Sequence, residues 1–173
     1  MEKDPLIVAR LAAEREDENW RFRAFLKASG HLSTAKLDRL AEQFGRAAEA
    51  EMDCTTCGAC CRDNCVPVSV AEQLRLADRL GISRDEFVER YGSIDDDGEA
   101  ALDAVPCPFL NCTRCSVYED RPEACRGYPY VGGEVVPRMI GIIERAGTCP
   151  IVFEMLERLK AAVGFGRFLE RSE

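Results

Sequence analysis

The sequence predicts a mainly α protein with small β hairpins, in which an N-terminal helical extension precedes an irregular, cysteine-rich domain. Two observations support this class. Residues 1–51 contain no cysteine, and their apolar residues recur at helical spacing. All ten cysteines follow, and prolines interrupt the stretch that holds the second half of them, which favours short elements there. We therefore expect two domains, 1–51 and 52–173.

The N-terminal extension is predicted to be a helical hairpin. Gly30 would end its first helical segment, and Ser33 would cap a second one with an apolar stripe. We expect the hairpin to pack on the rest of the chain; the alternative is a face that binds a protein partner. The single histidine, His31, lies at the turn and is interpreted as a polar turn residue rather than a ligand.

Two capping boxes predict two short helices after the first cysteines. The stretches SVAE and SRDE begin at Ser69 and Ser83, which would each cap a helix. Gly81 and Gly92 follow where left-handed C-terminal caps are expected. The acidic residues 95–98 that come next lack the spacing of a calcium loop and are interpreted as a solvated loop.

The C-terminal third is predicted to combine a hairpin, a strand and a helix. Residues 115–118 (CSVY) indicate a short strand or a hairpin arm. Residues 134–143 (EVVPRMIGII), after a Gly-Gly turn, are predicted to form a strand with Pro137 at a sheet edge. Cys149 and Pro150 then begin a final helix, expected over about 150–163.

The composition of the chain indicates in which compartment we expect it and which classes of partner are disfavoured. The net charge of −8 and the pI near 4.9 argue against broad contact with nucleic acid or anionic membrane. The N-terminal apolar stretch, residues 6–8, is too short for a signal-peptide core, and no membrane-spanning run is present. We therefore expect a cytoplasmic protein, in which thiols stay reduced and ten cysteines indicate metal binding rather than disulfides.

The spacing of the cysteines indicates a metal site made almost wholly of thiolates. Cys54, Cys57 and Cys60 form a C-x2-C-x2-C run like that of bacterial ferredoxins, although the fourth position is displaced by one residue. Residues 107–115 match the C-x4-C-x2-C core of plant-type iron–sulfur proteins. Soft sulfur ligands select zinc, iron–sulfur clusters or Cu(I), so the metal stays open at this point.

The adjacent pair Cys60–Cys61 is the most informative feature. Neighbouring Cα atoms lie about 3.8 Å apart, closer than the roughly 4.4 Å that ordinary disulfides need. Successive side chains diverge, so we expect the two thiolates to bind different metal atoms, either in two centres or in one multi-iron cluster. The alternative is that one of them is a small buried apolar residue.

The stretches CTTCGACC, PCPFL and CSVYEDRPEACRGYP, followed by Cys149-Pro150, resemble the CxxCxxCC family of cysteine-cluster proteins. The family is described as zinc- or iron-chelating and includes flagellin lysine-N-methylase-like proteins. The resemblance spans Cys54 to Cys149 and implies eight metal ligands: Cys54, Cys57, Cys60, Cys61, Cys107, Cys115, Cys125 and Cys149. Cys65 and Cys112 lie outside the family pattern and are candidates for extra ligands.

The resemblance also draws attention to Tyr118, Arg121, Arg126 and Tyr128. Thiolate sites are anionic, so we interpret the two arginines as groups that offset this charge or donate to sulfur. The two tyrosines would exclude solvent. The alternative is a substrate pocket lined by arginine and tyrosine.

The sequence thus predicts a cytoplasmic metal-binding domain with an all-cysteine site, interpreted first as an iron–sulfur cluster, [4Fe–4S]. Its role would be electron transfer or support of a modification reaction. One alternative is a zinc-stabilised interaction module with four-cysteine sites and no catalysis. Another, implied by the family's flagellin-modifying members, is a protein N-methyltransferase-like enzyme, although the chain shows no glycine-rich nucleotide motif.

Overall fold

The computed structural model describes residues 1–30, 32–94, 100–102 and 104–170. It is mainly α with short antiparallel strands, which confirms the predicted class. Its residues group by contact into two compact units: unit 1 is Met1–Asp53 with Pro129–Glu173, and unit 2 is Cys54–Tyr128. The expectations for His31 and for residues 95–98 fall outside the described residues.

In chain order the helices are α1 (Pro5–Glu14), α2 (Glu16–Ala28), α3 (Thr34–Glu51), α4 (Val70–Leu80), α5 (Arg84–Tyr91), α6 (Glu123–Gly127), α7 (Val135–Ala146), α8 (Pro150–Ala162) and α9 (Phe165–Glu170). The strands are β1 (Val66–Pro67), β2 (Ser93–Ile94), β3 (Ala100–Leu102), β4 (Leu110–Asn111) and β5 (Arg114–Cys115). Short 3-10 turns cover Cys54–Thr56, Cys60–Arg62 and Tyr118–Asp120. Among the described residues, no helix is both long and apolar enough to cross a membrane.

Unit 1 is a helical bundle in which α1, α2 and α3 pack with α7 and α8. The N-terminal stretch is helical as predicted, but it forms three helices instead of a two-helix hairpin, because the chain breaks at Arg15 between α1 and α2. Ser33 is the N-cap residue of α3, as expected, but its side chain forms no capping hydrogen bond. The limits 1–51 and 52–173 stay a prediction about domains, while by contact the N-terminal helices group with the C-terminal ones.

An ion-pair cluster around the buried Lys160 connects α8 to α2 and to Arg15 at the α1–α2 junction. Lys160 on α8 is only 5% exposed, and its ammonium donates to Glu18 on α2 at 2.8 Å and to Glu157 at 2.7 Å. Arg15 donates to the other oxygen of Glu157 at 2.6 Å. Because a buried ammonium is costly unless it is paired, these carboxylates are what allow Lys160 to lie in the core.

Residues 134–143 form the first part of α7, so the strand predicted there is wrong. Pro137 lies in the first turn of the helix, where the amide that proline lacks has no intrahelical partner. The apolar residues of the segment also recur at helical spacing and are buried on one face: Val135, Met139, Ile142, Ile143 and Ala146. Burial of this face outweighs the strand preference of the β-branched residues.

Gly45 on α3 packs tightly against Val131, which lies in the segment before α7, and gives a test of the packing. A Cβ at this position of α3 would lie 2.4 Å from Cβ of Val131. We expect Gly45→Ala to lower the free energy of unfolding by about 1–3 kcal/mol, because overpacking exceeds the gain of about 1 kcal/mol in helix propensity. Urea denaturation checks this. In a Val131→Gly background the same alanine should stabilise; a loss of similar size there would contradict the packing explanation.

Unit 2 places helices α4 and α5 beside a three-stranded antiparallel sheet of order β1-β3-β2. Its buried core is Val68, Leu76, Ala77, Phe87, Leu102, Phe109 and Val117. Both predicted N-caps are confirmed, since the hydroxyls of Ser69 and Ser83 accept amide hydrogen bonds from Glu72 and Glu86. Gly81 adopts the predicted left-handed conformation, with φ of 70°.

Gly92 does not form the left-handed cap that its position after α5 suggested. Its backbone is extended, with φ of −108° and ψ of 153°, and its amide donates to the carbonyl of Val88 at 2.9 Å. The chain continues directly into β2, which pairs with β3. The extended conformation follows from this pairing, so the left-handed prediction for Gly92 is wrong.

Candidate metal centre

All ten cysteines lie among the described residues and are thiols in the structure. All of them except Cys149 belong to unit 2. Cys149 is buried in unit 1, where it is the N-cap residue of α8 and its amide donates to the carbonyl of Arg145 at 2.8 Å. Its assignment as a metal ligand stays a prediction.

The first cysteine loop lies against the β4–β5 hairpin. The left-handed conformation of Gly58, with φ of 62°, turns the chain between the two 3-10 turns of the loop. A Cβ on Gly58 would lie 3.1 Å from the carbonyl oxygen of Thr113 and 3.2 Å from Cδ1 of Leu110. Glycine adopts a positive φ without strain and has no Cβ that would crowd these atoms. Gly58 therefore allows the loop to approach the hairpin closely.

Arg62 joins the same loop to the tip of the hairpin. One Nη atom donates to the carbonyl of Cys57 at 3.0 Å, and the other donates to the carbonyl of Cys112 at 2.6 Å. A planar guanidinium can hold two acceptors in a fixed geometry, which lysine cannot do. Sequence reasoning missed Arg62, because its partner is 50 residues away; its position directly after Cys61 is the only local signal.

Four thiols of unit 2 lie close enough to interact electrostatically: Cys61, Cys107, Cys115 and Cys125. We call them the inner thiols. The backbone also links two of them, since the amide of Cys107 donates to the carbonyl of Cys61 at 2.7 Å. The structure thus brings one residue of the first cysteine group near three of the second, while the set of eight ligands stays a prediction.

Backbone amides point at two of the inner sulfurs. The amides of Phe109 and Leu110 donate to the sulfur of Cys107, and the amide of Val117 donates to that of Cys115. Burial, the largest effect, raises the pKa of the two thiols, and these bonds oppose part of that rise. Amide donors favour the thiolate form that metal binding requires and tune thiolate-bound metals.

The pKa values of the inner thiols are spread widely. A hydrogen bond from the Cys60 thiol, with a smaller contribution from Arg62, lowers the pKa of Cys61 to about 7 against the effect of burial. Burial, with smaller contributions from the charges of the other inner thiols, raises the pKa of Cys125 to about 12 against the opposing charge of Arg121. Four thiolates in this half-buried region would repel one another, and a bound cation would remove this repulsion.

The bond between Cys60 and Cys61 corrects one expectation. The sequence predicts diverging side chains, yet within the 3-10 turn Cys60–Arg62 the thiol of Cys60 donates to the sulfur of Cys61. In a tight turn, side chains of adjacent residues need not alternate as they do in a strand. The two sulfurs are therefore neighbours, which is compatible with two metal atoms of one cluster.

Thiol alkylation in the metal-free protein should follow the pKa difference. At pH 8 about nine-tenths of Cys61 is thiolate, compared with about one part in ten thousand of Cys125. A thiolate of lower pKa is intrinsically less nucleophilic, which offsets part of this difference in thiolate fraction. We therefore expect Cys61 to react with iodoacetamide about a hundredfold faster than Cys125. Peptide mass spectrometry measures both rates. Cys60→Ala should slow Cys61, and equal rates in the unsubstituted protein would contradict the assignment.

Arginine side chains surround the segment that precedes Cys125. Arg121 stacks on the ring of Tyr118 at 3.7 Å and donates to its carbonyl at 2.8 Å. Arg126 donates to the carbonyls of Arg121 and Glu119. Burial raises the pKa of Cys115 and Cys125, and the positive charge of Arg121 opposes this rise; the role of both arginines toward a metal stays a prediction.

The two tyrosines of the family pattern differ in exposure. Tyr118 is 37% exposed, with Arg121 over its ring. Tyr128 is half-buried and follows the last residue of α6. The predicted role of both rings in excluding solvent stays a prediction.

The remaining cysteines of unit 2 differ in exposure. Cys54 and Cys65 are exposed, and Cys57 and Cys60 are partly buried. Cys112 is exposed at the tip of the β4–β5 hairpin, with a left-handed φ of 56°, which a two-residue hairpin loop requires of its first residue. The conformation of Cys112 thus has a structural cause that is independent of metal.

The donor set fits a thiophilic metal. The sulfurs are soft ligands, two of them receive amide hydrogen bonds, and Arg121 supplies a nearby positive charge. Within the residues that the structure describes, however, no three histidine, cysteine, aspartate or glutamate side chains are gathered tightly enough to hold an ion as they stand. Binding would therefore require the thiols to move closer together.

The comparisons with known proteins agree with this donor chemistry. The model of the family CxxCxxCC, whose description is "Putative zinc- or iron-chelating domain", matches residues 53–150, which is more than half of the chain. The chain belongs to this family. No curated protein and no solved structure matches the chain.

Proposed function

We propose that this protein is a cytoplasmic metal-binding protein in which thiolates hold an iron–sulfur cluster, [4Fe–4S], for electron transfer or in support of a modification reaction. The observation that carries the proposal is the group of inner thiols, which brings four soft ligands into one half-buried region of unit 2. Four cysteines are the ligand set that such clusters use.

The inner thiols would be the principal ligands, and Cys60 would add a fifth sulfur beside Cys61. A bound cluster supplies one-electron transfer. The amides of Phe109, Leu110 and Val117 stabilise negative charge on the sulfurs, and Arg121 does so from the side chain. Both effects favour the reduced state, because it carries one more negative charge.

Zinc is the second candidate, because four thiolates also match the ligand count of a structural zinc site made only of cysteines. In that case the metal would stabilise the irregular segments of unit 2, and the protein would act as an interaction module without catalysis. A protein partner bound by the N-terminal helices belongs to this alternative. A protein N-methyltransferase-like activity has weaker support, since it rests on the resemblance to flagellin-modifying proteins alone.

The cytoplasmic setting is part of the proposal. Its support is chemical: ten thiols without a disulfide framework are typical of a reducing compartment. The acidic net charge of −8 further disfavours nucleic acid and anionic membrane as partners.

Anaerobic purification followed by metal analysis tests the proposal. We expect brown protein with iron and acid-labile sulfide in equal amounts, and Cys125→Ser should lose most of both. Colourless protein with stoichiometric zinc would replace the first candidate by the second. Protein that binds neither metal after reconstitution would overturn both candidates.

A further inference from the structure

The carboxylate of Glu72 forms hydrogen bonds with two helices of unit 2. One oxygen accepts from the amide and the hydroxyl of Ser69, both at 2.8 Å, which completes the capping box of α4. The other oxygen accepts from the amide of Glu123 at 2.7 Å. Glu123 is the first residue of α6, 51 positions further along the chain.

Helix α6 needs this external acceptor because its own N-cap residue cannot supply one. That residue is Pro122, which has no hydrogen-bonding side chain, and no side-chain cap is formed there. A helix of five residues is also too short to persist without external contacts. Glu72 therefore supplies from α4 a hydrogen bond that α6 lacks.

Two arginines further along α4 bind the segment that leads into α6. The guanidinium of Arg75 donates to the carbonyl of Asp120 at 3.2 Å and to that of Arg121 at 3.3 Å. Arg79 pairs with the carboxylate of Asp120 at 3.4 Å. Glu72, Arg75 and Arg79 thus bind residues 120–123 from one side of α4.

Cys125 is the middle residue of α6, and its amide donates to the carbonyl of Pro122 at 3.0 Å. The place of its sulfur among the inner thiols therefore depends on where α6 begins. We propose that Glu72 is a positioning residue for the Cys125 ligand: its carboxylate fixes the start of α6 and thereby holds the sulfur of Cys125 near the other inner thiols. This inference rests on the proposed metal-binding function.

Two variants of the full chain separate this role from ordinary helix stability. Glu72→Met keeps the side-chain length and removes both acceptors, so α4 loses its capping box and α6 loses its external bond. Ser69→Ala weakens the cap of α4 but leaves the Glu72–Glu123 bond. Each variant is titrated with Co²⁺ alone in reducing buffer. The midpoint of its thermal unfolding is measured in parallel.

We expect Glu72→Met to bind Co²⁺ between about tenfold and a hundredfold more weakly, the range found when groups that orient a metal ligand are lost. Its thiolate-to-cobalt absorption per bound ion should also fall, because Cys125 no longer contributes fully. Ser69→Ala should keep the affinity and the spectrum of the unsubstituted protein, although its thermal midpoint falls.

Each other result has a distinct meaning. Unchanged affinity and spectrum in Glu72→Met would overturn the positioning role while leaving the proposed function intact. An equal loss of affinity in Ser69→Ala would overturn it as well, because stability of α4 would then be the cause. Absence of thiolate-to-cobalt bands in the unsubstituted protein would overturn the positioning role, because Cys125 would then not act as a ligand to Co²⁺, whereas metal analysis after reconstitution decides the proposed function separately.

Discussion

Cys60→Ser and Cys61→Ser are each expected to lose bound metal, and they need not lose the same metal atom. Cys61 interacts with the other inner thiols, and Cys60 donates to its sulfur, so both sulfurs face the same region of unit 2. Loss of a ligand should cost more than the roughly 10- to 100-fold in affinity that loss of a supporting group costs. Metal counts per chain after anaerobic reconstitution measure the effect.

Cys65→Ser is the matched control for this experiment. Although Cys65 is a candidate for an extra ligand, it is exposed and lies outside the family's cysteine pattern, so we expect its serine variant to keep the metal content of the unsubstituted protein. If either Cys60→Ser or Cys61→Ser also kept full metal content and stability, the interpretation of the adjacent pair as two ligands would be wrong.

Removal of the metal is expected to destabilise unit 2 more than unit 1. Unit 2 has a small apolar core and many short elements, so a bound metal would contribute much of its stability. At a metal concentration about a thousandfold above the dissociation constant, binding stabilises by roughly 4 kcal/mol. Chelation should therefore speed exchange of the amides of Leu76 and Phe109 by up to about a thousandfold.

Amides of α3, such as those of Leu37 and Ala41, serve as the internal reference in unit 1. Their exchange should change little on chelation. In Cys61→Ser the chelator should have a much smaller effect on unit 2 as well. Equal acceleration in both units of the unsubstituted protein, or none in either, would contradict a metal that stabilises unit 2.

Local signals predicted the helices of unit 2 well. The capping box at Ser69, the N-cap at Ser83 and the left-handed Gly81 each depend on residues at most four positions apart, so the sequence alone contains the interaction. In unit 1, the helix expected over about 150–163 is α8, Pro150–Ala162, for the same reason, although it is not the last helix, because α9 follows it. Proline at its first position and the apolar spacing after it are both local features.

Predictions failed where distant residues decide the backbone conformation. The segment that begins at Val135 contains enough β-branched residues for a strand, but contact with α8 and α2 buries one face of a helix. Gly92 follows a helix as a left-handed cap would, but pairing of β2 with β3 extends it. In both cases tertiary contacts outweigh a local conformational preference of the backbone that is worth less than a few kcal/mol.

The sequence by itself determined the chemistry of this protein: ten cysteines, one histidine and a family-specific spacing leave thiolate–metal binding as the best interpretation. Only the tertiary structure decided which thiols interact, and that Cys61 has the lowest pKa among the inner thiols. It alone revealed the supporting bonds of Arg62 and Glu72, whose partners lie 50 and 51 residues away. The physical reason is that ligand identity is a property of each residue, whereas proximity, burial and charge interactions arise only when distant segments fold together.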